Sequence, residues 1–273
     1  MAGRKNASFA VTKVRIGSTG VEADTRADTV AGEEPLEIRV GGQTLTTTMR
    51  TPGHDVELAH GFLHSEGHIH AKEDVTEARY CAGTTVEGRN TYNLLDMELT
   101  RPNVIAVDDL RLTLTTSACG VCGTSSIAEL TKRSRYALPH IPIDPLLIPR
   151  LTAGLREGQK EFRRTGGIHA AGAFTLSGEP VVIREDIGRH NAADKVIGYL
   201  LLNDMLPAED LVLVMSSRAS FELVQKAAMA GFGILVAVSA ASSLAVETAR
   251  ETGMALVGFA REDRFNIYSG ELK

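Results

Sequence analysis

The chain has 273 residues, 43% of them hydrophobic and 23% charged, with a net charge of −5. That is the composition of a globular chain of one or two domains, and it excludes wholesale disorder. The acidic balance leaves no basic footprint for nucleic acid or an anionic membrane, and the lack of Trp with 5% aromatics argues against a platform for stacked bases.

In chain order, Met1 to Thr12 lacks the apolar run of a secretory leader. Leu36, Ile38 and Val40 alternate with Glu37 and Arg39. Gly41-Gly42 then turns the chain into the Thr-rich run Gln43 to Met49, a hairpin pattern. Thr51-Pro52-Gly53 breaks the strand and leads into a short helix. Leu58, Ala59, Phe62 and Leu63 share one face of it, and Gly67 ends it. His60, His64 and His68 recur along that helix and read as a surface row. An alternating strand over Arg111 to Thr115 and a helix-like segment over Ile127 to Lys132 follow. Pro139, Pro142, Pro145 and Pro149 fall within eleven residues and mark a linker.

The second half alternates strands and helices. Strands are expected over Val181 to Arg184, Leu211 to Met215, Ile234 to Val238, Ala255 to Phe259 and Asn266 to Tyr268. Helices are expected around Ala193 to Leu201, Phe221 to Ala230 and Leu244 to Glu251. Apolar strands separated by helices imply a largely parallel sheet covered on both faces. Ala227 to Val246 is 20 residues without a charge, but its glycines and serines divide it into a helix end, a strand, a loop and a helix start. No membrane span is expected there. The division is therefore a β-rich region over 1–137 ending in a thiol loop and short helix, a Pro-rich linker over 138–150, and an α/β domain over 151–273.

The chemistry-bearing residues fall in clusters. Cys119-Gly120-Val121-Cys122-Gly123 puts two thiols on a Gly-rich loop ahead of a helix start, where backbone N–H groups favour thiolate. The third cysteine, Cys81, stands alone and reads as a small buried residue. Three cysteines do not make a disulfide scaffold, which points to the cytoplasm. A zinc site would need a second ligand pair, and none follows. Zinc stays an alternative on that weaker footing, beside a redox dithiol, a sulfur or acyl carrier, and a pair without a role.

Arg184 to Asn191, with Asp194 and Lys195 behind it, sits between a strand and a helix, where α/β sheets bind ligands; a charged solvated loop is the alternative. Arg189 and His190 are its candidates. Ser216-Ser217-Arg218-Ala219-Ser220 and Ser239-Ala240-Ala241-Ser242-Ser243 occupy equivalent places in adjacent units. Their hydroxyls and helix-start N–H groups, with the Arg218 guanidinium, suit phosphate, although Ser is also an ordinary helix cap. Neither a P-loop nor a dinucleotide fingerprint is present. Phe259-Ala260-Arg261-Glu262-Asp263-Arg264 joins an aromatic to two arginines, a set that could hold a base and its phosphates.

Six segments resemble, in order, the formate dehydrogenase accessory sulfurtransferase family, the FdhD sulfur carriers. They are Arg50 to Gly53 with Glu57 to Gly67, Cys119 to Gly123, Thr165 to Ala171, Glu185 to Lys195, Ser216 to Lys226, and Gly258 to Arg261. The family pattern has Gly where this chain has Ser217. The resemblance implies a cytidine-deaminase-like three-layer larger domain beside a smaller β-rich N-terminal domain. It implies a cytoplasmic homodimer that takes persulfide sulfur from a cysteine desulfurase on Cys119. Cys122 would assist transfer to a molybdenum (or tungsten) bis(molybdopterin guanine dinucleotide), bound as substrate, for formate dehydrogenase. Phe259 to Arg264 would map onto the family's cofactor-binding segment. Zinc deamination is disfavoured, because His169 is followed by Ala170 and Ala171 with no Glu, and no Pro precedes Cys119. A cofactor-holding chaperone that moves no sulfur is the other alternative.

Overall fold

The computed structural model describes residues 3–18, 20–81, 92–101 and 135–273. Among the described residues three sheets carry the fold. The first is a two-stranded antiparallel ribbon, β1 (Asn6–Gly17) with β2 (Gly20–Ala31). The second holds β3 (Glu34–Val40), β4 (Gln43–Arg50), β5 (Val75–Tyr80) and β6 (Leu94–Leu99) in the order β4-β3-β6-β5. The hairpin read from Leu36 to Met49 is β3–β4. Leu36, Ile38, Leu95 and Met97 point to one face and are buried against α1 (Asp55–Ser65), with Leu58 and Leu63 opposite them.

The third sheet has six strands. They are β7 (His169–Thr175), β8 (Pro180–Asp186), β9 (Leu211–Met215), β10 (Ile234–Ala237), β11 (Ala255–Gly258) and β12 (Asn266–Ser269), ordered β12-β11-β10-β9-β7-β8. Beside them run α2 (Leu147–Gly158), α3 (Lys160–Thr165), α4 (Arg189–Leu202), α5 (Phe221–Met229) and α6 (Ser243–Thr252). Alternate side chains of each strand serve opposite cores. Leu213 and Met215 of β9 pack toward α4, α5 and α6, whereas Val212 and Val214 pack toward Leu151 and Leu155 of α2. Both faces are covered, as the apolar strands imply.

The sheet is nevertheless not largely parallel. Neighbouring strands pair in parallel only at β9–β10 and β10–β11; β7 and β12 run against the direction that β8, β9, β10 and β11 share, so the other three pairings are antiparallel. The reason is connection length. The β7–β8 link is a tight turn through Gly178, and the β11–β12 link is short, so neither can hold a crossover helix. The proline-rich stretch packs against this sheet. Ile143 is buried and bridges to Leu272, and Pro149 sits in the first turn of α2, where its missing N–H is tolerated.

The two halves meet where α1 crosses α4. A side-chain carbon at Gly61 would lie 1.8 Å from the Asp194 carbonyl oxygen, and one at Gly198 would lie 1.8 Å from that of Glu57. The crossing is backbone on backbone and needs glycine on both helices. His60 and His64 are buried in α1, not on a surface row. His60 Nδ1 lies 2.8 Å from the Val56 carbonyl oxygen, and His64 Nε2 lies 3.1 Å from that of Met229. Burial lowers both imidazole pKa values. Among the described residues no helix is long and apolar enough to cross a membrane.

Candidate functional site

Topology gathers the candidate residues on one rim. The parallel strands β9, β10 and β11 all end there. Because β7 and β8 run antiparallel, His169 pairs with Asp186 at the same rim, and Asn266 opens β12 opposite Gly258. The rim therefore collects His169, the β8–α4 turn, the β9–α5 and β10–α6 loops, and the β11–β12 loop. Backbone bonds tie the loops to one another. Ser239 N–H donates to the Ser217 carbonyl, Ala219 N–H to that of Ala240, and Phe259 N–H to that of Ser239. The Ser216 hydroxyl accepts from the Ala170 N–H at 2.9 Å and is thereby committed to β7.

Arg184 to Lys195 divides into a buried structural part and a part left at the rim. Asp186, Asn191, Asp194 and Lys195 are buried, so this is not a solvated loop. Lys195 Nζ lies 2.6 Å from Asp186 Oδ2 and donates to the Thr51 carbonyl at 2.9 Å. Asp186 also accepts from the N–H groups of Thr51 and Gly188 and from Asn191 Nδ2. Asn191 donates to the Met49 carbonyl at 2.8 Å. These bonds pin β4 and the Thr51-Pro52-Gly53 turn to the start of α4. Nearby, Arg50 is fully buried and holds Asp55 with two guanidinium bonds of 3.1 and 3.0 Å. Lys226 Nζ bonds Asp194 Oδ1 at 2.8 Å, and the Ser65 hydroxyl donates to the same oxygen.

Arg189 and His190 remain at the rim. Arg189 Nε is buried and has no hydrogen-bond partner among the described residues. His190 Nε2 is 3.4 Å from the Ser220 hydroxyl and 3.9 Å from Glu222. Burial, then the charges of Lys226 and Arg189, push its pKa down to about 4, so the ring is neutral at pH 7. Burial and Arg189 also lower His169. His169 thus belongs to this electrostatic cluster; in the sequence it is marked by its place in the Thr165 to Ala171 segment and by its failure to fit a deaminase motif.

The other candidates lie along the same rim. Arg218 is exposed, Ser217 is buried, and Ser220 and Ser239 are half-buried. Ser242 caps α6 by accepting from the Ala245 N–H, the ordinary role weighed for that cluster. Phe259 has φ 50 and projects into solvent, while Ala260 is buried. Arg261 donates to the Val238 carbonyl at 2.6 Å, which anchors its guanidinium beside the β10–α6 loop. Glu262 lies 3.9 Å from Arg156, and Asp263 lies 3.4 Å from Arg264, in pairs open to solvent.

Cys119 and Cys122 lie outside the described residues, as do the strand and helix expected beside them. Arg101 and Arg135, which bracket that segment, line one cavity of about 240 Å³ with His68, His70, Asp74 and Thr100. Cys81 is half-buried at the end of β5, not enclosed, and its N–H donates to the Leu94 carbonyl.

A mixed α/β protein with cationic groups and helix starts on one sheet rim has the chemistry of a binder of phosphate-bearing ligands. Residues 31–273 match the FdhD/NarQ family model. The chain is 54% identical to the sulfur carrier protein FdhD of Corynebacterium efficiens over 275 residues, 99% of each chain. It is 58% identical to that of Nocardia farcinica over 247 residues, covering 90% of this chain and 88% of the other. The chain therefore belongs to the FdhD/NarQ family. In fold it is similar to the crystal structure of a protein from Desulfotalea psychrophila titled for a formate dehydrogenase accessory role. That likeness has a TM-score of 0.70 at 23% identity and covers 96% of both chains.

Proposed function

We propose that this chain is a cytoplasmic sulfur carrier. It accepts sulfur from a cysteine desulfurase and passes it to the molybdenum (or tungsten) bis(molybdopterin guanine dinucleotide) destined for formate dehydrogenase. In the first step the Cys119 thiolate attacks the outer sulfur of the desulfurase persulfide. The desulfurase cysteine leaves as thiolate, and Cys119 becomes the persulfide. In the second step the Cys122 thiolate attacks Cys119 Sγ and releases hydrosulfide to the metal. The resulting Cys119–Cys122 disulfide is reset by a cellular dithiol. The names of the relatives and the Cys119-Gly120-Val121-Cys122-Gly123 sequence support the carrier half.

One observation supports the cofactor half above others: the buried Nε of Arg189, without a partner among the described residues, on a rim shared with Arg218, Arg261, Arg264 and Phe259. An anion there would complete a donor that the described residues leave unsatisfied. We read the six-stranded sheet with helices on both faces as the cytidine-deaminase-like layer the sequence resemblance implies.

The test is peptide mass spectrometry after incubation with a cysteine desulfurase and cysteine. The carrier reading expects a reducible gain of one sulfur atom on the Cys119 peptide. It also expects loss of formate dehydrogenase maturation in Cys119→Ala. No gain, with maturation intact in Cys119→Ala, would leave the cofactor-holding chaperone in its place.

A further inference from the structure

Strand β8 is an outermost strand of the six-stranded sheet, and a cleft of about 390 Å³ runs along it from Pro180 to Glu185. Lys5, the Thr51 to His54 turn and Lys160 of α3 also line this cleft. The pairing fixes which way the β8 backbone faces. Ala170 of β7 turns toward β9, where its carbonyl accepts from the Ser216 N–H and its own N–H donates to the Ser216 hydroxyl. Glu185, opposite Ala170, therefore turns its N–H and carbonyl outward, and Ile183, opposite Gly172, does the same. Both outward carbonyls are engaged by cations of this chain. Ile183 accepts from the Arg184 guanidinium at 3.0 Å, and Glu185 from Lys195 Nζ at 3.4 Å. The two outward N–H groups have no partner among the described residues.

The charges of the cleft are sorted in the same sense. Its carboxylates are committed: Glu185 accepts from the N–H groups of Glu161 and Phe162, both at 2.9 Å, and Glu161 accepts from Asn6 Nδ2 at 2.8 Å. Arg184 is held by Glu57, and Lys195 by Asp186. Lys5 and Lys160 are exposed, and neither ammonium has a partner among the described residues. The Lys5 stem lies against Gly53, where a side-chain carbon would stand 3.1 Å from Lys5 Cε. An open sheet edge ordinarily offers donors and acceptors together and invites another strand. This edge has kept only its donors, so an added strand would bring N–H groups with nothing to accept them. The open groups are two N–H donors and two ammoniums, and all four call for an anion.

We propose that this cleft binds a small dianion with an acidic group at each end. The two N–H groups stand two residues apart, about 7 Å along a strand. One acidic group cannot take both in good geometry, and two lysines match two negative charges. The cleft falls in the size range of small-molecule sites, roughly 300–1,000 Å³. A dicarboxylate and a pyrophosphate both carry oxygens of the required kind. The inference stands apart from the sulfur-carrier reading, which uses none of these four donors.

Amide NMR titration of the full chain with succinate and, separately, with pyrophosphate tests it. At least one probe is expected to move the Ile183 and Glu185 amide resonances saturably, and the tighter of the two tells carboxylate from phosphate chemistry. Lys5→Ala and Lys160→Ala, both at exposed side chains, are each expected to weaken that binding about tenfold with an unchanged unfolding midpoint. Arg189→Ala, at the rim, is expected to leave it unchanged. Two probes that leave both amides unmoved, shifts confined to Arg189, His190 and Arg218, or full affinity in either lysine variant would each overturn the proposal.

Discussion

Lys195 Nζ sits 2.6 Å from Asp186 Oδ2, with 1% and 0% of the two side chains exposed. The pair joins α4 to the end of β8, and through the Thr51 carbonyl it also reaches the turn after β4. Removing one member leaves a buried charge without its partner, which costs about 3–5 kcal/mol. Lys195→Met is therefore expected to lower unfolding stability by that amount. The double variant Lys195→Met/Asp186→Asn should lose less than the sum of the two single variants. Denaturant unfolding of all four proteins measures this coupling, and additive losses would refute it.

The α1–α4 crossing makes an independent demand. A carbon 1.8 Å from a backbone carbonyl oxygen cannot be absorbed by a rotamer change, so the helices must move apart. Gly61→Ala and Gly198→Ala are each expected to destabilise by about 1–3 kcal/mol or more, despite their gain in helix propensity. Gly253→Ala in the same protein has nothing within 4 Å, so its cost should come only from its left-handed φ of 74°. Equal unfolding midpoints for Gly61→Ala and the wild type would show that the crossing is looser than this geometry.

The same contrast explains what the sequence made legible. Strands β9, β10 and β11 are short apolar runs between punctuated helices, and Leu211 to Met215 was readable to the residue. Their rim followed, because loops after parallel strands share an edge. The direction of β7 and β8 was not legible, since buried strands look alike whichever way they run. Nor was the ribbon: one face of it is built from Ala, Thr and Ser as much as Val and Ile, so no apolar alternation marks it. Asp186, Asn191, Asp194 and Lys195 share a polar run with Arg189 and His190. Only the packing of α1 and β4 onto α4 separates residues that hold the fold from those left facing the rim. His60 and His64 appear superficial until that same packing encloses them.

Glu57 gives the fold a defined response to acid. Burial raises its carboxyl pKa, but bonds from Arg184 at 2.5 and 2.8 Å, with His54 beside it, outweigh burial and hold it down to about 2. The folded value lies below the ordinary one of 4.5, so the unfolded chain takes up the proton first as pH falls. The stabilisation is complete above pH 4.5 and is lost as pH falls toward about 2. Its size is about 1–2 kcal/mol once solvent screening is counted. Glu57→Gln should thus be less stable than the wild type at pH 7 and close to it near pH 2, in parallel unfolding curves. A constant gap across that range would contradict the Arg184 pairing.

Arg189 offers the sharpest separation of binding from stability. Its Nε has no partner among the described residues, so removing the side chain breaks no hydrogen bond at that atom. If the rim receives the phosphates of a guanine dinucleotide, Arg189→Ala should weaken binding of GDP, used as the probe, by about tenfold or more. Its unfolding midpoint should hardly move. Arg264→Ala, at an exposed guanidinium paired with Asp263, should show a smaller loss of affinity and no loss of stability. His190, already neutral at pH 7, gives this binding no titration near pH 6.5, because its pKa lies near 4. Arg189→Ala removes one of the charges that holds it there, so the His190 NMR resonance should titrate at higher pH in the variant. Calorimetry with GDP and NMR titration of His190 together decide the matter. Unchanged affinity in Arg189→Ala would mean that the rim holds its ligand elsewhere, and an unmoved His190 would mean that the two side chains are not electrostatically joined.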